Sequence, residues 1–173
     1  MPPEPTPPHL VRPLAAPADV EAFRAIRLEA LQRHPDAFGS THEDEVEQPL
    51  SWWEDRLAPG RTFGGFIDGQ LMGMAALSTF TAARLRHKGV LGGMYVREEA
   101  RGSGLADVLV RRVIDHMPLE QIQLSVVTTN ERAVRFYRRM GFHIFGTEPR
   151  ALKTRNGYAD EHLMVRLADQ NMI

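Results

Sequence analysis

The segment Val96-Arg97-Glu98-Glu99-Ala100-Arg101-Gly102-Ser103-Gly104-Leu105-Ala106 is where residue types and spacing first point to chemistry. It reads as the end of a strand, a glycine-bearing turn and the start of a helix. Backbone N–H groups in such a turn and in the first helical turn have no intrahelical acceptor. They point one way, and the helix dipole adds to the attraction for an anion. Gly102 and Gly104 let a bulky diphosphate approach the backbone, and Arg101 adds positive charge. A Walker-type loop needs a Lys followed by Ser or Thr, which is absent here. A dinucleotide fingerprint needs Gly or Ala where Asp107 stands, and a place after the first strand. The alternative without a ligand is a tight turn in which Ser103 caps the helix.

The surrounding elements must hold this turn in place. Leu10 to Leu14 reads as a short strand. A helix follows from about Asp19 to Gln32, its stripe formed by Val20, Phe23, the stem of Arg27 and Leu31. His34 to Gln48 is polar and acidic with little periodicity. Ser51 and Glu54 have capping-box spacing, which predicts a short helix with Trp52, Trp53 and Leu57 on its apolar side. Arg61 to Ile67 and Gln70 to Phe80 form two strands about the hairpin signal Asp68-Gly69. Lys88 to Val96 reads as a third strand, and its paired glycines, Gly92 and Gly93, predict a bulge or a close backbone approach.

Beyond the turn the pattern alternates. Leu105, Val108, Leu109, Arg112 and Val113 repeat at helical spacing up to Pro118. Gln121 to Thr128 alternates like a strand. Asn130 is a good N-cap for a helix through Met140, with Gly141 at C′. Phe142 to Gly146 and His162 to Leu167 close the chain as strands. Strand–helix–strand in this half implies a parallel pair with a right-handed crossover, whereas the earlier hairpins imply antiparallel pairing. The expected fold class is α/β: a mixed, mainly antiparallel sheet with helices on both faces.

Composition limits the function classes. The 173 residues fit one domain, expected over 10–173, preceded by a proline-rich arm over 1–9. With 43% hydrophobic and 25% charged residues the chain is of ordinary globular composition. A net charge of -1 lacks the basic excess of a nucleic-acid binder. No apolar run is long enough for a membrane span, and no signal-peptide pattern opens the chain. Zero cysteines remove disulfides, thiolate metal sites and any cysteine nucleophile. A cytoplasmic protein without a metal is the expectation.

Read as Arg101-x-x-Gly104-x-Ala106, the turn is similar to the Q/R-x-x-G-x-G/A acetyl-CoA motif of the Gcn5-related N-acetyltransferase family. Asn130-x-x-Ala133-x-x-x-Tyr137-x-x-x-Gly141-Phe142 resembles the second signature of that family, and the element order matches across nearly the whole chain. The resemblance implies an acetyl-CoA-dependent N-acetyltransferase acting on an amine, with the fold's parallel pair splayed apart. It implies that the backbone of Met94, Tyr95 and Val96 takes the pantetheine arm, one N–H serving the thioester carbonyl. It further implies that Arg101, Gly102, Ser103, Gly104, Leu105 and Ala106 take the pyrophosphate. Asn130 and Ala133 would lie against CoA near the splay, and Tyr137 would be the general acid. A phenol of pKa about 10 is close enough to a thiol of about 8.5 to protonate the departing thiolate. A buried aromatic on its helix's apolar face is the other reading of Tyr137. The family also admits a homodimer.

The sequence departs from the family pattern at the base. Ser125 stands where some members carry a Glu, and Ser is no base at neutral pH. His42, Glu43, Glu45, Asp160, Glu161 and His162 remain chemical candidates, alongside a water chain or an amine of low pKa. The acceptor site is expected around 35–40 and 156–161. There Glu43, Asp44, Glu45 and Glu47 could draw in a cationic amine, or simply form a solvated face. A longer acyl-CoA and a non-catalytic CoA-binding module are the rival readings.

Overall fold

The computed structural model describes residues 9–168. The proline-rich segment over 1–8 lies outside the described residues. Seven strands form one sheet: β1 (Leu10–Pro13), β2 (Thr62–Ile67), β3 (Gln70–Thr79), β4 (Lys88–Val96), β5 (Gln121–Val127), β6 (His143–Thr154) and β7 (Gly157–Leu167). Five α-helices accompany them: α1 (Val20–Arg33), α2 (His42–Val46), α3 (Leu50–Leu57), α4 (Leu105–Ile114) and α5 (Glu131–Arg139), with a single 3-10 turn at Glu98–Ala100. The strand order is β1-β2-β3-β4-β5-β7-β6. Only β4 and β5 are parallel; the other neighbours run antiparallel.

Two cores lie on opposite faces of the sheet. On one, Leu109, Val110 and Val113 of α4 and Val134 and Tyr137 of α5 pack with Phe63, Leu77, Leu91 and Met164. On the other, Phe23 and Ile26 of α1 and Trp53 and Leu57 of α3 pack with Phe66, Leu71, Met74 and Tyr95. The 3.6-residue apolar repeat of α4 matches the face it buries, which is why its sequence pattern is so plain.

The parallel pair carries the site. Its register runs from Lys88↔Gln121 to Val90↔Gln123 and goes no further. Beyond that the strands part, although β4 continues to Val96 and β5 to Val127. The expected bulge is present: the β3–β4 register shifts between Met74 and Ala76, opposite Gly93, whose φ is +59°. A left-handed backbone at a bulge is the conformation glycine adopts without Cβ penalty.

Several boundaries differ from expectation. The polar stretch after α1 contains α2, opened by a capping box in which Thr41 accepts from the Asp44 N–H and Asp44 accepts from the Thr41 N–H. The short third helix starts two residues earlier than the Ser51–Glu54 capping-box spacing predicts, and Pro49 at its N-cap offers no side-chain hydrogen bond. The last two strands are longer than expected, reaching Thr154 and starting at Gly157. Their distal half is largely exposed, so no apolar alternation marks it.

Candidate functional site

The turn ahead of α4 is built as its residue types predict, with one change. Gly102 and Gly104 have φ of +81° and +87°, and Gly104, not Ser103, is the N-cap. Ser103 turns inward: its Oγ donates to the Ala100 carbonyl at 2.6 Å and accepts from the Leu105 N–H at 3.3 Å. Among the described residues the N–H groups of Gly102, Gly104, Ala106 and Asp107 have no protein acceptor. Successive unpaired amides in such a turn form an anion-binding concavity.

These amides face a cavity of about 1030 Å³ at the mouth of the splay. Met94, Tyr95, Val96, Arg101, Gly102, Gly104, Leu105, Ala106, Asn130, Ala133 and Tyr137 all line it. Of the residues expected to hold acetyl-CoA, Ser103 alone is missing from that wall; its side chain holds the turn instead. The cavity wall carries five arginines, Arg33, Arg101, Arg132, Arg135 and Arg139, against Asp36 and Asp107. This local excess of cations is hidden in a chain whose net charge is -1. Arg132, Arg135, Phe136 and Arg139 follow the 3–4 spacing of one helical face, a signal present in the sequence but easily masked by the family signature interleaved with it.

Individual side chains are held firmly. Asn130 Oδ1 accepts from the Ala133 N–H at 3.2 Å, capping α5, and Gly141 ends that helix at φ +91°. Arg101 Nη2 lies 3.2 Å from His34 Nε2. A guanidinium only donates, so Nε2 must be the acceptor and His34 carries its proton on Nδ1. Burial, then the charges of Arg101 and Arg33, hold His34 below the usual imidazole range. Tyr95 Oη donates to Glu29 Oε1 at 2.8 Å, and Arg97 Nε donates to Glu29 Oε2 at 3.0 Å, tying β4 to α1. Burial and that carboxylate push the Tyr95 phenol up to about 12. Tyr137 is buried against Phe136 and Phe142, and burial alone raises its phenol well above the ordinary value.

A second cavity, of about 350 Å³, lies on the α1–α3 side of the sheet and reaches Gly93 of the bulge. Arg27, Arg56 and Arg61 line it, together with Phe23, Met74, Ser78 and Thr79. Of the acidic residues expected to attract an amine, Glu45 is buried: Arg27 donates to it at 2.6 and 2.9 Å, and Arg56 at 3.0 Å. Asp44 is engaged in the α2 cap. None of His42, Glu43, Glu45, Asp160, Glu161 and His162 lines either cavity. Asp160 Oδ1 instead accepts from the Arg150 N–H, and His162 Nδ1 lies 3.1 Å from Thr147 Oγ1. Pro35, Asp36, Ala37 and Phe38 of the expected acceptor region line the larger cavity, whereas 156–161 lines neither.

The mixed sheet parts at its one parallel pair, and the glycine turn ahead of α4 opens beside that gap, an arrangement shared with acyltransferases. The Acetyltransferase (GNAT) family model matches residues 24–142, and the chain belongs to that family. It is 27% identical to the L-amino acid N-acetyltransferase AaaT of Escherichia coli (strain K12), covering 87% of this chain and 94% of that protein. Among solved structures it is similar to a GNAT-family acetyltransferase from Streptococcus pneumoniae (TM-score 0.81, 24% identity, 93% and 100% of the two chains). It is also similar to yncA from Salmonella typhimurium, solved with its cofactor acetyl-CoA (TM-score 0.79, 21% identity, 94% and 95%).

Proposed function

We propose that this acyltransferase moves an acetyl group from acetyl-CoA to the primary amine of a small molecule, by direct attack with both substrates bound. AaaT acts, by its name, on L-amino acids, and an acceptor of that size suits this chain. The observation that carries the proposal is the set of four unpaired amides at Gly102, Gly104, Ala106 and Asp107, facing a cavity lined by five arginines, of which Arg101 and Arg132 have no carboxylate partner among the described residues. A diphosphate fits that donor set, and the gap between β4 and β5 accepts an extended arm.

Acetyl-CoA supplies an activated acyl carbon and a thiolate leaving group. The chain's part is to orient and to manage charge. A backbone N–H of Met94, Tyr95 or Val96 polarises the acyl carbonyl as negative charge develops on its oxygen. The amine nitrogen forms the new C–N bond, the C–S bond breaks, and the Tyr137 hydroxyl gives its proton to the sulfur. Tyr137 regains a proton from the one the amine nitrogen loses, relayed by water, so the sum is amine plus thioester to amide plus thiol. None of His42, Glu43, Glu45, Asp160, Glu161 and His162 lines either cavity, so no side chain there is assigned as the base.

Release of free thiol on mixing the protein with acetyl-CoA and a panel of amines tests this. The absence of cysteine leaves CoA as the only source of thiol. Amine-dependent release is the expected result. Binding of CoA without turnover of any amine would support the non-catalytic reading instead.

A further inference from the structure

The second cavity has a charge pattern that the transferase reading does not use. Three arginines line it and no aspartate or glutamate does. The one carboxylate behind it, Glu45, is shared: Arg27 takes both oxygens and Arg56 takes one of them again. One guanidinium's worth of positive charge is left over. Arg61 adds another, and its Nε is buried with no hydrogen-bond partner. A buried donor without an acceptor is costly and rare in a finished structure. Arg56 is also rigidly placed, its guanidinium stacked 4.7 Å from the Trp52 ring centroid and 5.4 Å from that of Phe23.

Such a cavity repels an amine that carries only positive charge. It suits an amine whose molecule also bears an anion, and a carboxylate matches a guanidinium through two parallel hydrogen bonds. The volume is near the lower end for ligand sites and holds one small molecule. The apolar remainder, from Phe23 and Met74, takes a hydrocarbon side chain. Gly93, which also lines this cavity, is next to Met94 of the larger one, and no atom occupies the space where a Cβ of Gly92 or Gly93 would stand. A group anchored on the arginines therefore meets the sheet where the two cavities share a strand.

We propose that the acceptor is an α-amino acid whose carboxylate is clamped by Arg56 and Arg61, with its amine turned toward the β4 bulge; this rests on the acetyl-transfer reading above. The same cations disfavour the ammonium form of the bound amine. An uncharged nucleophile is then available near neutral pH with no base among the lining side chains.

Calorimetric titration of the full-length, CoA-saturated protein with L-alanine, L-methionine and L-phenylalanine, each beside its carboxamide, tests the clamp. At least one amino acid is expected to bind about 30-fold or more tightly than its amide, and Arg61→Gln and Arg56→Lys are each expected to erase that preference. Both variants should retain a CoA-induced rise in melting temperature, which reports folding and the other site. If acid and amide bind equally, if no amino acid binds, or if both variants keep the preference, the clamp is wrong while the transferase reading stands. If CoA itself fails to raise the melting temperature of the unaltered protein, the transferase reading falls, and the clamp with it.

Discussion

Burial holds the Tyr137 hydroxyl in its protonated form well above neutral pH. Its acid form is therefore fully populated wherever the enzyme works, and Tyr137 adds no alkaline limb below about pH 10. The rate should rise with pH as the acceptor amine loses its proton and then level off, which a pH–rate profile of kcat/KM reads directly. Tyr137→Phe should lower kcat by about 10²- to 10⁴-fold with KM for acetyl-CoA little changed. Glu45 behaves differently. Burial alone would raise its carboxyl, but the hydrogen bond and charge of Arg27 and the charge of Arg56 outweigh it and hold Glu45 below its ordinary 4.5. Its stabilising effect is thus present above pH 4.5 and is lost as pH falls through the depressed value. Glu45→Gln should cost about 3–5 kcal/mol in urea unfolding at pH 7, because two guanidiniums lose their shared counter-ion. The gap between variant and parent should narrow in acid.

Helix α5 is short, and its N-terminus depends on one local device. Asn130→Ala removes the acceptor for the Ala133 N–H and should cost about 1 kcal/mol in denaturant midpoint measurements. It should also raise KM for acetyl-CoA, since the same residue lines the larger cavity. Local devices of this kind make α5, the glycine turn and the β2–β3 hairpin legible in the sequence. Helix α2 is not legible there, because it is five residues long and its capping box uses Asp44 where the usual pattern carries Glu or Gln. The β6–β7 extension escapes sequence reading for want of a buried face. The second cavity leaves no trace in the sequence: Arg27, Arg56, Arg61 and Gly93 come from α1, α3, the approach to β2, and β4, and no spacing joins them. Even the burial of Arg27 is legible only as far as its stem, since its guanidinium meets Glu45, 18 positions away.

Taken whole, the molecule concentrates cations at one mouth while remaining near neutral overall. Acetyl-CoA at 100 times its dissociation constant should stabilise the fold by about 2.7 kcal/mol in thermal melts. That gain should shrink as salt is raised from low to physiological strength, because much of the attraction is exposed charge. ATP and NAD should give far less.

The parted strands also set how the molecule can come undone. The half that carries β1 to β4 meets the half that carries β5 to β7, along the sheet, through only three register pairs, Lys88 to Val90 against Gln121 to Gln123. Such a join works like a zipper that closes on three teeth and then stops, and a ligand lying along the open length would supply the missing ones. Amide hydrogen exchange over 91–96 and 124–127 should then slow sharply on loading with CoA, while the backbone amides of the β6–β7 hairpin keep their own pace. The open length is thus a strain gauge, in which occupancy is written as the stiffness of the join.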